Sequence, residues 1–80
     1  MDKKARDFGD LSIHQKMEVL IRDMVEREIR FRDALKEFQK IYIEAASKKY
    51  SGNKSQMAEG LGLHRNTLHN RAKSLKIKKY

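Results

Sequence analysis

The chain contains no cysteine among its 80 residues. Disulfide bonds, thiolate zinc sites and a cysteine nucleophile are therefore excluded. The longest uninterrupted apolar stretches contain only three residues, as at 19–21. Such a stretch is too short for a membrane span or for the apolar segment of a secretory signal. We therefore expect a cytoplasmic protein that does not interact with membranes.

The features that enzymes and metalloproteins need are also missing. There is no phosphate-cradling glycine-rich loop between a strand and a helix, and 80 residues leave little length for a pocket. The three histidines do not suggest a metal site, because His64 and His69 are five residues apart on diverging helix faces and His14 is remote. We expect no catalytic activity, no metal ion, no cofactor and no small-molecule ligand.

The positive charge of the chain is concentrated in its C-terminal part. Residues 1–46 contain ten Lys and Arg and ten Asp and Glu, so their charges cancel. Residues 47–80 contain nine Lys and Arg and a single acidic residue, Glu59, so that this part carries the whole net charge of +8. Such segregation favours a polyanionic partner over an ordinary solvated surface.

The pattern of residues Asn53 to Leu75 predicts two short helices joined by a tight turn. Asn53 can cap the first helix, and Gln56 stands three residues later at the spacing of a capping box. Gly62 can adopt a positive φ after that helix ends. The apolar residues that recur at helical spacing are Met57, Ala58 and Leu61 in the first helix and Leu68, Ala72 and Leu75 in the second.

The opposite side of the second predicted helix is almost wholly polar. At about 100° per residue, Asn66, His69, Asn70 and Lys73 point away from its apolar side. This is the layout of a helix-turn-helix unit, in which the second helix enters the major groove of DNA. Spacing alone is only a moderate signal, because other small helical hairpins can show it.

Residues 12–50 carry two apolar stripes at helical spacing, with Ser12 as a possible cap. No glycine or proline separates the stripes between Arg27 and Asp33, and periodicity alone leaves one uninterrupted helix open. Residues 1–11 show no periodicity, and we expect them to form a disordered tail. The stripes comprise Ile13, Met17, Leu20, Ile21, Met24 and Val25, and then Phe31, Ala34, Leu35, Phe38, Ile41, Tyr42, Ala45 and Ala46.

Several segments of the sequence closely resemble the Fis family of DNA-binding proteins. The resemblance rests on Gly52–Ser55, which reads Gly-Asn-Lys-Ser, and on Leu61–Leu68, which reads Leu-Gly-Leu-His-Arg-Asn-Thr-Leu. Met24–Arg27, Ala34–Phe38 and Tyr42–Ala46 resemble the helices that precede the DNA-binding unit in that family. In all, the resemblance covers roughly residues 13–77.

The resemblance implies an all-α fold in which a two-helix dimerisation region, residues 12–50, precedes a helix-turn-helix unit, residues 51–80. It also implies a break between the two stripes, although relatives commonly carry Gly near Glu28. The implied assembly is an intertwined homodimer, which would cover the stripes of so small a chain. The alternative is a monomeric bundle. The implied dimer contacts are Met17, Leu20, Ile21, Met24, Val25, Leu35, Phe38 and Tyr42.

Arg65 is the strongest candidate for reading a base, because an arginine near the start of the groove-entering helix can donate two hydrogen bonds to guanine. Relatives use the matching arginine in this way. His64 and Asn66 are further candidates for base contact. The residues expected to contact phosphates are Asn53, Ser55, Thr67, Asn70, Arg71 and Lys73.

Two further residues bear on the DNA-binding unit. His69 is a pH-dependent candidate, because its protonation would add a phosphate contact and raise affinity as pH falls through about 6.5. Ala72 departs from the family, which usually has Leu there, so the packing of the two helices is expected to differ.

The resemblance implies a regulator of transcription that binds duplex DNA, bends it and resides on the bacterial nucleoid. It leaves two settings open, a free-standing regulator or the C-terminal DNA-binding domain of an enhancer-binding activator of the NtrC type. A different class of function is a helical dimerisation or adaptor module whose basic end binds an acidic protein surface. The operator, the regulated genes and the degree of bending are not predicted by the sequence.

Overall fold

The computed structural model of the chain describes residues 8–78. Over this range the chain is helical and contains no strand, which confirms the all-α fold class. The helices are α1 (Ile13–Glu26), α2 (Phe31–Lys49), α3 (Lys54–Leu61) and α4 (Arg65–Ser74). The tail predicted for residues 1–11 falls mostly outside the described residues, and its last part, Phe8–Asp10, forms one turn of 3-10 helix.

The chain divides into two compact units, of which the first ends at Phe31 and the second begins at Arg32. Helix α1 of the first unit begins with a full capping box at Ser12. The Ser12 hydroxyl accepts from the backbone N–H of Gln15 at 3.1 Å, and the Gln15 side chain accepts from the backbone N–H of Ser12 at 2.9 Å. None of the residues of α1 is buried.

The chain breaks between α1 and α2, as the family resemblance implies. Glu28 has a φ of +57°. This left-handed conformation lets the N–H of Glu28 donate to the carbonyl of Val25 and the N–H of Ile29 donate to the carbonyl of Met24, both at 3.0 Å. Glu28 therefore ends α1, and its Cβ makes the conformation costly.

All four α-helices of the described residues end in this way. The positive-φ residues that end them are Glu28, Ser51, Gly62 and Lys76. In each case the next residue donates its N–H to the carbonyl five positions before it, over 2.8–3.0 Å. Only at Gly62 does the chain use glycine, so the other three ends carry steric strain.

The core of the second unit is formed where α2, α3 and α4 meet. Met57 and Leu68 are its largest fully buried side chains. The predicted inner faces of α3 and α4 are confirmed, since Ala58 and Ala72 are buried and Leu61 and Leu75 pack against the core. The buried residues of this core are Ile43, Ala46, Met57, Ala58, Leu68, Ala72 and Ile77.

Gly60 lies within α3 because the Tyr50 ring occupies the adjacent space. A Cβ on Gly60 would overlap the end of that ring, with Cζ of Tyr50 only 2.7 Å away. Tyr50, directly after α2, packs against the core of the second unit. The close approach of α3 to the end of α2 therefore depends on the missing side chain at residue 60.

Helix α2 also carries an apolar stripe that remains exposed. Leu35, Phe38 and Tyr42 are 44%, 47% and 54% exposed. The rings of Phe38 and Tyr42 pack on each other, with centroids 5.5 Å apart and planes tilted by 54°. The helix therefore has two apolar faces, of which only the one bearing Ile43 and Ala46 is buried in the chain.

Within the described residues, none of the helices combines the length and apolar character that crossing a lipid bilayer requires.

Candidate nucleic-acid interface

Helices α3 and α4 form a helix-turn-helix unit. Asn53 caps α3, with its side-chain oxygen accepting from the backbone N–H of Gln56 at 3.0 Å. The backbone N–H of Asn53 donates to the carbonyl of Tyr50 at 3.0 Å, so the donor that a reciprocal bond from Gln56 would use is already engaged. Gly62, with φ +72° and ψ +30°, ends α3, and α4 begins at Arg65.

The start of α4 places three predicted base-contacting residues, His64, Arg65 and Asn66, at the surface. His64 is the N-cap residue, with an extended backbone and no capping bond from its side chain. Arg65 and Asn66 are the first two residues of the helix, and both are exposed. Because side chains at the start of a groove-entering helix approach base edges, these positions suit the reading of sequence.

The outer face of α4 is polar along its length. Arg65, His69 and Lys73 follow one another at intervals of four residues, so they form a row on one side of the helix. Asn70 is exposed beside this row, whereas Thr67 is half-buried. The buried face of the same helix carries Leu68 and Ala72. The helix is thus held by one side while the row of basic and amide groups faces outward.

A cleft lies between the start of α3 and the outer face of α4. It has a volume of about 500 Å³ and is lined by Lys54, Arg65, Asn66, Leu68 and His69. Three of these residues, Arg65, Asn66 and His69, were predicted from sequence as DNA contacts. Lys54 was not, because its position in the first turn of α3 carries no helix-period signal. Its ammonium group donates to the carbonyl of Gly52 at 3.3 Å.

The remaining predicted contacts lie outside the cleft. Arg71 donates to the side-chain oxygen of Gln39 on α2 at 3.4 Å. Ser55 is exposed in the first turn of α3, next to the capping residue Asn53.

The predicted dimer residues lie on α1 and α2. Met24 is half-buried, and the others are exposed, namely Met17, Leu20, Ile21, Val25, Leu35, Phe38 and Tyr42.

Comparison with known protein families found a match to the model of the Fis family of bacterial regulatory proteins over residues 34–80. The chain belongs to the Fis family. The match covers more than half of the chain and includes all of α3 and α4. Searches of curated proteins and of solved structures found no significant match.

Membership of the Fis family establishes the class of the α3–α4 unit. It is the DNA-binding helix-turn-helix of a regulatory protein, and the Fis family is not a family of enzymes. The exposed row on α4 and the excess of positive charge in residues 47–80 agree with this class, because phosphate groups dominate the affinity of a protein for DNA.

Proposed function

We propose that the chain regulates transcription by binding duplex DNA as a homodimer, with α4 of each copy in the major groove. The observation that carries this proposal is the outer face of α4, where Arg65, His69 and Lys73 form one exposed row opposite a buried apolar face. Two further observations support it, namely the membership of the chain in a family of DNA-binding regulators and the excess of positive charge in residues 47–80.

Within this face we assign different roles to its two ends. Arg65, the first residue of α4, donates to O6 and N7 of a guanine, with Asn66 and His64 beside it. Lys73, two turns later, contacts a phosphate, as do Thr67, Asn70 and Arg71. At the start of α3, Asn53 contacts a phosphate through its side-chain amide, and Ser55 contacts it through the exposed N–H groups of the first turn.

The experiment begins with selection of binding sites from random-sequence duplexes. Binding of the variants is then measured on the selected site and on a scrambled duplex at several salt concentrations. Arg65→Ala should cost about 1–3 kcal/mol on the selected site and relax the preference at one base pair. Lys73→Ala should weaken both duplexes alike and lower the salt dependence by about 0.9 per lost phosphate contact.

Lys36→Ala is the matched control, since it removes a lysine from the part of the chain in which charges cancel. If Arg65→Ala and Lys73→Ala affected both duplexes identically, the division of roles would be wrong. If the unaltered protein showed no salt-dependent affinity for any duplex, DNA binding itself would be refuted. An acidic protein surface would then be the better candidate partner for the basic end.

The dimer part of the proposal rests on apolar side chains that the chain leaves exposed. Helix α1 has no buried residue, and Ile13 and Val25 are 77% and 67% exposed. A 14-residue helix with no packed face is only marginally stable in water. A second copy would supply matching stripes, because a two-fold interface pairs one surface with itself.

Sedimentation equilibrium tests the dimer directly. We expect a species of twice the 9.5 kDa chain mass. Phe38→Glu should shift it to the monomer and weaken DNA binding, because it places a charge in the exposed stripe of α2. Lys40→Gln changes the net charge by the same amount outside the stripe and should leave the mass unchanged. A folded 9.5 kDa species in the unaltered protein would refute the dimer.

Two finer expectations follow from the family and not from the geometry. Dimeric relatives hold their two recognition helices closer together than the grooves of a straight duplex, so we propose that the chain bends its DNA on the nucleoid. Gel mobility of duplexes with the binding site at the centre or at the end tests this, since only bending makes the two mobilities differ.

The second expectation concerns the setting of the chain. An ATPase domain encoded upstream in frame would identify an NtrC-type activator, and its absence would favour a free-standing regulator.

A further inference from the structure

A side-chain hydrogen bond joins helix α4 to helix α2. Nη1 of Arg71 donates to the side-chain oxygen of Gln39 across 3.4 Å, between residues that are 32 positions apart in the sequence. Both helices belong to the second compact unit of the chain, apart from Phe31 at the start of α2. The sequence predicts Arg71 as a phosphate contact and assigns no role to Gln39. The bond therefore gives Arg71 a partner inside the protein that helical periodicity does not indicate.

Gln39 lies at the border between the two apolar faces of α2. It is half-buried, and it precedes the buried residues Ile43 and Ala46 by four and seven positions, so it shares their side of the helix. Phe38, the residue before it, is 47% exposed and belongs to the stripe that we assign to the dimer. Gln39 therefore connects α4 to α2 directly beside the proposed dimer contacts.

The bond adds direction to a contact between helices that is otherwise built on apolar burial. The core that the two helices share contains Ile43 and Ala46 from α2 and Leu68 and Ala72 from α4. Burial of apolar surface has no preferred direction. A hydrogen bond, in contrast, requires a particular distance and angle between its two groups. The bond from Arg71 therefore favours one orientation of α4 on α2 over others that the apolar core would also accept.

We infer that Gln39 and Arg71 are a positioning pair that sets the separation of the two recognition helices in the dimer. This inference rests on the proposed function and adds to it a determinant of the half-site spacing that the dimer accepts. A dimer reads two half-sites at a separation that its own symmetry and shape define. Because α2 carries the proposed dimer contacts, the angle of α4 on α2 determines where each recognition helix lies. Arginine has five N–H donors, so one bond to Gln39 is compatible with a phosphate contact by Arg71.

The first test measures how strictly the protein selects the separation of half-sites. A series of duplexes carries the two selected half-sites at separations that differ by single base pairs. The spacing ratio is the affinity for the best separation divided by the affinity for the next best. Gln39→Leu removes the acceptor but keeps a side chain of similar size, so α4 should adopt other angles more easily. We expect the spacing ratio to fall by about three- to tenfold, the effect of losing one net hydrogen bond.

The spacing ratio distinguishes positioning from a merely structural role. A variant that is only less stable binds every duplex through the same folded protein, so its ratio would not change. Gln39→Glu should raise the ratio, because a carboxylate accepts a stronger hydrogen bond from a guanidinium group. In an Arg71→Gln background the same change should have no effect. Lys40→Gln is the matched control, since it changes the net charge by the same amount at the next residue and should leave the ratio unchanged.

The outcomes separate the positioning pair from the proposed function. An unchanged spacing ratio in Gln39→Leu would overturn the pair while leaving DNA binding intact. If Gln39→Leu proved too unstable to measure, Gln39→Glu would decide, and an unchanged ratio there would overturn the pair. An equal effect of Gln39→Glu with and without Arg71 would also overturn it, as would an unaltered protein with no preferred separation. Failure of the unaltered protein to bind any duplex would instead refute the proposed function.

Discussion

Replacement of Glu28 by glycine should stabilise the protein. Glu28 has a φ of +57°, and its Cβ makes this conformation costly by about 1–2 kcal/mol. Glycine removes that cost but loses about 0.5–1 kcal/mol through the greater freedom of the unfolded chain. The net gain in the free energy of unfolding should therefore be about 0.5–1 kcal/mol. In a chain of this size, each 1 kcal/mol corresponds to a rise of about 4–8 °C in melting temperature.

The sign of this change decides between a broken and a continuous helix. In a continuous helix glycine would be worse than alanine by about 1 kcal/mol, because residue 28 would be an interior helical position. In the observed break the order is reversed, because alanine keeps the Cβ that is strained. Glu28→Ala is therefore the matched control, since it removes the same charge without relieving the strain.

Thermal melts followed by circular dichroism, at one fixed protein concentration, measure both variants. The fixed concentration matters because the stability of a dimer depends on it. We expect Glu28→Gly to melt above the unaltered protein and above Glu28→Ala. If Glu28→Ala melted higher than Glu28→Gly, the left-handed conformation of Glu28 at the end of α1 would be refuted. Ser51→Gly and Lys76→Gly should also be stabilising for the same reason.

Three further predictions concern the helix-turn-helix unit. Gly60→Ala should lower the free energy of unfolding by about 1–3 kcal/mol, because the added Cβ overlaps the Tyr50 ring. In a Tyr50→Leu background, which lacks that ring, urea denaturation should show that Gly60→Ala raises the free energy of unfolding. Ala72→Leu should lower the free energy of unfolding by about 1–3 kcal/mol, because Ala72 and Met57 are fully buried in one cluster. If the same change lowered it equally in a Met57→Ala background, the larger side chain at residue 72 would not be competing with Met57 for space. His69→Gln should weaken binding to duplex DNA, because His69 lies in the exposed row on the outer face of α4; an unchanged affinity in a gel-shift titration would exclude a role of His69.

The helix-turn-helix core was predictable because its signals are local. Asn53 caps α3 within one turn, and Gly62 supplies the positive φ at the place where the apolar spacing shifts. Leu68 and Ala72 recur at the helical period, and both are buried. Each of these features depends on residues within about five positions, so a single sequence is enough to recognise them.

Helix α2 shows where periodicity fails. Ile43 is 4% exposed and belongs to the core, but the predicted stripe passes through Ile41 and Tyr42 and omits it. Successive residues point about 100° apart, so Ile43 lies on a different face from Tyr42. When a helix has two apolar faces, their residues merge into one broad apolar pattern in the sequence. The sequence then does not indicate which face packs against the rest of the chain and which remains exposed.

The periodicity of the sequence indicated neither the break after α1, which only the family resemblance implied, nor the contribution of Lys54 to the cleft. No glycine marks the break, because Glu28 adopts the left-handed conformation that glycine adopts more readily. Lys54 joins the cleft only because α3 and α4 meet at that point, which is a tertiary relation. The periodicity of one helix carries no information about its neighbours across a turn.

Ile77 sets the practical boundary of the DNA-binding unit. It is 7% exposed, although it lies three residues beyond the last residue of α4 and after the left-handed turn at Lys76. A shortened version trimmed at the end of the helix would discard a buried side chain worth about 1.5–3 kcal/mol. Expression plasmids for isolated binding units should therefore extend past residue 77, and affinity tags placed near the C-terminus should follow a spacer.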